Sequence, residues 1–421
     1  MKGTGLLPLM LLAGSGLSGC HLVQSSVPVP DDAPVQSEVF LPAFADSAAT
    51  AQHQLVQSRR QHHWPAMTAA VAWRGELVWA GAAGYADIAT ATPVSIQTRF
   101  RLGSTSKAVT ATALARAVAR QQVALDTPIS RYKTDLPNPA WQAMTLRQLM
   151  SHTAGLPGYE NNTDRIGSIR SWLKWGHFTD VDDTLALFDD SDLLSEPGER
   201  FHYSSFDVNL ASAVLQSATG QPFLSYLQSA VATPLGLSSL GAADQDDPQQ
   251  AKFYETEEGQ ARLHRSVDLS QKWASGGLVA TSVDLAKLGA AWFAADFVPP
   301  QIQQQFWTVQ KLANGEVNEQ FYALGWRHYS DPFLYCDRED PLNQEISYVH
   351  HGGVSDGAQS LLVIYPKWQL VVAVNINTQT QNWCEFAHEV SQLTKPFLRQ
   401  VAPELMSRNR DTAAKTEQAL P

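Results

Sequence analysis

Ser104-Thr105-Ser106-Lys107, followed at once by the run Ala108 to Val118 (Ala-Val-Thr-Ala-Thr-Ala-Leu-Ala-Arg-Ala-Val), most constrains what this chain can build. Small and apolar residues in such a run suit a helix buried among its neighbours. A serine and a lysine three apart at its mouth share one face, with Cβ atoms about 5–6 Å apart, a gap that a long lysine closes. The helix N-terminus adds unpaired N–H groups able to hold a developing oxyanion. A serine hydroxyl becomes a good nucleophile only when a neighbour takes its proton, so the pair marks a candidate acyl-transfer enzyme. The plain alternative is an N-cap serine with a solvated lysine one turn on.

The chain has 421 residues, 44% of them hydrophobic and 17% charged, enough to bury a large core and to form two lobes. A net charge of −11 without clustered Lys and Arg argues against a nucleic-acid surface. The His-His pairs at 62–63 and 350–351 are not joined by Cys or carboxylates at zinc-like intervals. No metal and no cofactor are expected.

Residues 1–19 combine Lys2 with an apolar stretch from Leu6 to Leu12, the pattern of an export signal and too short for a spanning helix. Leu17-Ser18-Gly19-Cys20 resembles the lipobox of bacterial lipoproteins, which implies a lipid on Cys20 and membrane attachment through that anchor alone. His21, where an aspartate would favour the inner membrane, points to an outer-membrane position facing the periplasm. An oxidising periplasm would permit Cys336 and Cys384 to pair.

Residues 20–50, rich in Pro, Ser, Asp, Ala and Val without periodicity, read as a flexible tether. Met67–Trp73, the turn Arg74-Gly75-Glu76 and Leu77–Gly81 read as a hairpin. Helical patterns dominate from Ser104 to about Gly259, including Phe206–Ala218 ended by Gly220. After a helix near 282–294, the stretches 348–350, 360–365 and 370–375 read as adjacent antiparallel strands, followed by a helix near Phe386–Val401. The order strands, helices, strands predicts an α+β fold: an antiparallel sheet from both chain ends, flanked by helices, with a helical lobe inserted. A folded domain over 51–400 is expected, its α/β lobe at about 51–110 and 265–400, its helical lobe at about 111–264, and a frayed tail over 401–421. Trp172, Trp175 and Phe178 are expected to pack within the helical lobe.

Tyr203-Ser204-Ser205 follows the Pro197-Gly198 turn and precedes a helix, so its phenol can point into a cleft and relay protons. In His350-His351-Gly352-Gly353 the glycines let a ligand approach the strand backbone, a natural source of a second oxyanion donor. Ser104-x-x-Lys107, Tyr203-x-Ser205 and His350-x-Gly352, in this order, resemble the three motifs of class C β-lactamases and the related serine peptidases and esterases. Phe100–Gly103, Leu146–Pro157, Glu196-Pro197-Gly198 and Ala274–Leu278 resemble that family's flanking segments, and the likeness covers roughly 55–400. The resemblance implies a β-lactamase/transpeptidase-like fold with the active site between sheet and helical lobe.

Two departures narrow the expected activity. Ser205 stands where the family has asparagine, replacing a substrate-binding amide by a shorter hydroxyl. His350 stands where β-lactamases have lysine, removing a fixed positive charge, since neutral histidine predominates near pH 7. The expected enzyme is therefore a serine hydrolase cleaving an amide or ester of a small molecule or peptide, with cell-wall peptides among the candidates. A weak β-lactamase or D-alanyl carboxypeptidase is the nearest alternative, and a non-catalytic penicillin- or peptide-binding module the alternative of another class. Ser104 is the expected nucleophile. Either Lys107 takes its proton, or Tyr203 does so as phenolate beside a protonated Lys107. The N–H groups of Ser104 and Gly353 are expected to hold the oxyanion, with Ser205, His350 and Gly352 meeting the substrate. Ser355-Asp356-Gly357 reads as a turn, and His152 as a residue that caps or bonds within its own loop.

Overall fold

A computed structural model describes residues 26–174, 176–244, 246–329, 336 and 346–403. Its main sheet joins β1 (Val35–Val39), β2 (Ala66–Trp73), β3 (Glu76–Asp87), β4 (Arg327–Tyr329), β5 (Tyr348–Ser355), β6 (Ala358–Tyr365) and β7 (Leu370–Ile376). The order is β4-β5-β6-β7-β2-β3-β1, all pairs antiparallel, and the short Thr92–Pro93 strand pairs with the end of β3. The expected α+β arrangement is therefore present, with β2 and β7 joining the two ends of the chain in register Val71↔Val372.

Both faces of the sheet are covered, which explains why β2 reads as an apolar run broken only by Thr68, whose hydroxyl bonds to Ser282. Met67, Ala69 and Val71 face α1 (Ala45–Gln61) and α6 (Trp383–Val401). Ala66, Ala70 and Ala72 face the core that holds α2 (Ser106–Ala119) and α5 (Ser282–Ala291). The β2–β3 hairpin turns at Arg74 and Gly75, both at positive φ, as a tight two-residue connection requires. The helical lobe includes α3 (Arg165–Leu173) and α4 (Ser205–Thr219), the latter ended by Gly220 at φ +65°. Asp356 and Gly357 form the expected turn, between β5 and β6.

Two expected boundaries move. The stretch assigned to a tether is structured from Val27 onward: Val27–Pro28 pairs with Gln260–Ala261, β1 lines the edge of the sheet, and α1 starts at Ala45. Every residue of β1 is exposed, so backbone pairing and the side-chain hydrogen bonds of Gln36 and Ser37 hold it and no hydrophobic alternation reveals it. The helical lobe ends earlier than residue 264, because Tyr254–Glu257 and Gln260–Leu263 form a hairpin turning at Glu258 and Gly259. The stretch expected to be a signal peptide, Cys20 and most of the tail lie outside the described residues.

Candidate active site

Ser104 sits in a single 3-10 turn, Gly103–Thr105, that runs straight into α2. Three contacts fix that turn: Leu102 N–H donates to Leu278 O at 2.9 Å, Leu278 N–H to Ser106 Oγ at 3.3 Å, and Thr105 Oγ1 to His351 O at 3.3 Å. The nucleophile turn is thus pinned between the Leu278–Ala280 strand and β5. The Ser104 amide finds no acceptor among the described residues, as an oxyanion donor must not. Gly353 brings the β5 backbone hard against this turn; a Cβ there would lie 2.8 Å from Ser104 N and collide with Leu102 O.

Lys107 is fully buried beneath Ser104. Its Nζ donates to Ser104 Oγ at 3.1 Å, to Ser275 O at 2.8 Å and, more weakly, to Ser205 Oγ at 3.5 Å. Three acceptors match the three donors an ammonium carries. The shorter hydroxyl of Ser205 therefore still reaches the lysine. Tyr203 arrives from the loop before α4, its ring 4.8 Å from Lys107 Nζ and 5.3 Å from the Arg327 guanidinium. Burial pushes the phenol up, but the charges of Lys107 and then Arg327, with hydrogen bonding from Ser104, outweigh it and leave Tyr203 below its ordinary value.

Alternation along β5 separates the third motif into two roles. His350, Gly352 and Val354 face a cavity of about 870 Å³ that also opens on Ser104, Tyr203 and Arg327. Phe321, Tyr329, Tyr348, Tyr365 and Trp383 give part of its wall an aromatic lining. Burial, reinforced by Arg327 and His328, pushes His350 down to about 3, so it is neutral across the physiological range. His351 points the other way: its Nδ1 lies 2.7 Å from Gly352 O and its Nε2 2.8 Å from the Tyr322 hydroxyl. A carbonyl only accepts, so Nδ1 carries the proton and Nε2 accepts from Tyr322.

A buried pair lies behind Tyr203. His152, at φ +59° and fully buried, places its ring 4.5 Å from that of Tyr203 and its Nδ1 2.9 Å from Asp207 Oδ2. The Ser204 N–H also donates to this Nδ1, at 3.3 Å, so Nδ1 carries no proton and the hydrogen sits on Asp207. Burial acts in the same sense, pushing Asp207 well up and His152 well down. His152 thus reaches beyond its own loop to α4, though not to Ser104.

Structure thus brings together Ser104, Lys107, Tyr203, Ser205, His350, Gly352 and Gly353. Arg327, Tyr322 and Asp207 are additions that the motifs did not announce, and His351, inside the third motif, has no role assigned by it. An acid inside the apolar run Phe206–Leu215 was the one available signal for Asp207. Arg327 lies in a stretch with no recognisable motif. The sulfurs of Cys336 and Cys384 are bonded, tying the cavity wall to the first turn of α6.

The chain matches the family model described as Beta-lactamase over residues 50–392. The human mitochondrial serine beta-lactamase-like protein LACTB is 23% identical over 406 residues, covering 77% of this chain and 73% of that protein. Esterase EstB of Burkholderia gladioli is 32% identical over 194 residues, 44% of this chain and 49% of the esterase. Among solved structures, EstCE1, described as a hydrolase with promiscuous acyltransferase activity, superposes with a TM-score of 0.70 at 21% identity, covering 83% of this chain and 99% of that one.

Proposed function

The chain belongs to the beta-lactamase family and is a serine hydrolase, and from that premise we propose that it cleaves an amide or ester through an acyl-enzyme on Ser104. The observation that carries this reading is Lys107 Nζ at 3.1 Å from Ser104 Oγ, with the Tyr203 ring 4.8 Å from that Nζ and 5.3 Å from the Arg327 guanidinium. Tyr203, as phenolate, takes the Ser104 proton while Oγ attacks the substrate carbonyl carbon. Lys107 orients Oγ and stabilises the phenolate. The carbonyl oxygen gains the charge and is held by the N–H groups of Ser104 and Gly353. Tyr203 passes its proton to the leaving nitrogen or oxygen as the scissile bond breaks. Water then repeats the sequence on the ester of Ser104, releasing the acid and restoring the hydroxyl.

Labelling by a fluorophosphonate probe and turnover of p-nitrophenyl esters, both lost in Ser104→Ala, test the reading. An unlabelled, inactive wild type sinks it. Labelling that survives Ser104→Ala moves the nucleophile elsewhere.

A narrower second reading, a weak β-lactamase or D-alanyl carboxypeptidase on cell-wall peptides, draws on Arg327. Its guanidinium lines the cavity, donates to Gln320 Oε1 at 2.6 Å and forms no ion pair among the described residues, so it can meet a substrate carboxylate. Under this reading Arg327→Ala raises KM for a carboxylate-bearing substrate about tenfold or more beyond any change it makes to KM for a neutral ester, whose rate it alters only through Tyr203.

The leader, the Leu17–Cys20 lipobox likeness and the Cys336–Cys384 bond support a lipoprotein exported to an oxidising compartment. The proposed location is the periplasmic face of the outer membrane, held by a lipid on Cys20. Mass analysis of the mature N-terminus tests it: an unmodified chain that starts elsewhere rules the anchor out.

A further inference from the structure

Helix α3 is built inside out. Asp164 caps it by accepting from Gly167 N at 2.8 Å, and its covered side is made of Gly167 and Ser171. Gly167 lies so close to the Leu187 carbonyl that no side chain fits there. The bulky apolar residues point the opposite way: Ile166 is 74% exposed, Ile169 57%, Trp172 81% and Leu173 52%. Spaced at i, i+3 and i+6 to i+7, they form one continuous stripe. Trp172 therefore departs from the expected helical-lobe packing, while Phe178 is buried as expected and the Trp175 side chain lies outside the described residues. Folding does not require such a stripe, and contiguous apolar surface turned to water marks a contact surface.

The charges around it select the partner. From Arg165 to Lys174 the chain reads Arg-Ile-Gly-Ser-Ile-Arg-Ser-Trp-Leu-Lys; Lys174 is paired with Asp356, while Arg165 and Arg170, the latter over the Phe178 ring, form no ion pair among the described residues. A second copy of this chain, pairing stripe to stripe about a two-fold axis, would bring these bases against themselves. An apolar stripe with a tryptophan and flanking Arg and Lys instead matches a helix lying in the plane of a lipid interface. The net charge of −11 opposes an anionic surface only over distance, since salt screens charges beyond about 8–10 Å. The Lys174–Asp356 ion pair ties the end of α3 to the turn after β5.

We propose that α3 is an interfacial helix that seats the helical lobe on an anionic lipid surface. Ile166, Ile169, Trp172 and Leu173 enter the acyl boundary, and Arg165 and Arg170 stay at the level of the phosphates. This contact is separate from any lipid on Cys20 and independent of the hydrolytic reading.

The test uses the full chain carrying Cys20→Ser, with vesicles of brominated phosphatidylcholine with and without phosphatidylglycerol. Tryptophan emission is expected to be quenched by the phosphatidylglycerol vesicles, with a component that disappears in Trp172→Phe. Arg165→Gln with Arg170→Gln should weaken that component about tenfold or more, and Ile166→Ser with Ile169→Ser should abolish it, while ester turnover in solution is retained. Quenching that is the same with and without Trp172, or the same without phosphatidylglycerol, overturns the proposal. So does a concentration-dependent dimer in sedimentation that Ile169→Ser dissolves, which would assign the stripe to a second copy.

Discussion

Tyr203 stands between Lys107 and Arg327, and its phenol lies below its ordinary value because of them. A group that works as phenolate loses activity as pH falls through its pKa, so kcat/KM for a neutral ester should rise with pH over that range. Tyr203→Phe is expected to lower kcat about 10²–10⁴-fold and to remove this limb of the pH profile. A profile unchanged in Tyr203→Phe would assign the proton transfer to another group. His350 gives the opposite case, being neutral because it is pushed down to about 3. His350→Gln should leave the shape of the pH profile between about pH 5 and 8 unaltered, whereas His350→Lys, which adds a charge, should tighten a carboxylate-bearing β-lactam about tenfold. Fluorescent-penicillin titration reads the difference. Ser104, Lys107 and Tyr203 were legible because their spacing and flanks carry the chemistry in one dimension. Arg327 and Asp207 were not, since what defines them is a neighbour far along the chain: the Tyr203 ring for one, His152 for the other.

At the level of elements, α1 and α6 are joined by His62 and Glu389, 2.9 Å apart. The hydrogen bond to Glu389 raises His62 above its usual 6.5, against the opposing effect of burial. Burial pushes Glu389 up, yet hydrogen bonds from His62 and Ser58 outweigh it and hold the acid below its usual 4.5. The histidine's contribution is complete below its unfolded value and is lost as pH rises through the raised one. The acid's contribution is complete above its unfolded value and is lost as pH falls through the lowered one. Both are therefore present in full between those two unfolded values, and the fall in melting temperature from about pH 5.5 to 8.5 should shrink in His62→Gln. Gly353→Ala tests the seam between β5 and the nucleophile turn. Turnover should drop about 10²-fold while circular dichroism is unchanged, because a shift of about 1 Å at a reacting group costs that much. Strands β5, β6 and β7 were legible from their β-branched residues and bounding turns. Strand β1 was hidden, for it buries no side chain and its pairing partner is a property of the folded sheet.

The molecule as a whole is closed by one covalent link, Cys336 to Cys384, across 48 residues. By loop-closure entropy such a link is worth about 2–4 kcal/mol. Chemical denaturation under reducing conditions, or of Cys384→Ser, should show a loss of that size. An unchanged midpoint would mean that the bond contributes nothing to stability. The α+β architecture was legible at this scale from the order of strand-like and helical stretches. The extent of the helical lobe was not, because the Tyr254–Leu263 hairpin is short and polar. The pairing of β2 with β7 has a consequence for the order of events in the cell. Ser104 is made before the helical lobe, whereas the strand that presses against it and the strand that completes its sheet are made after that lobe. A nascent or truncated chain that ends before β5 therefore carries the serine without a working site, and hydrolysis should switch on only once β5 to β7 have been made.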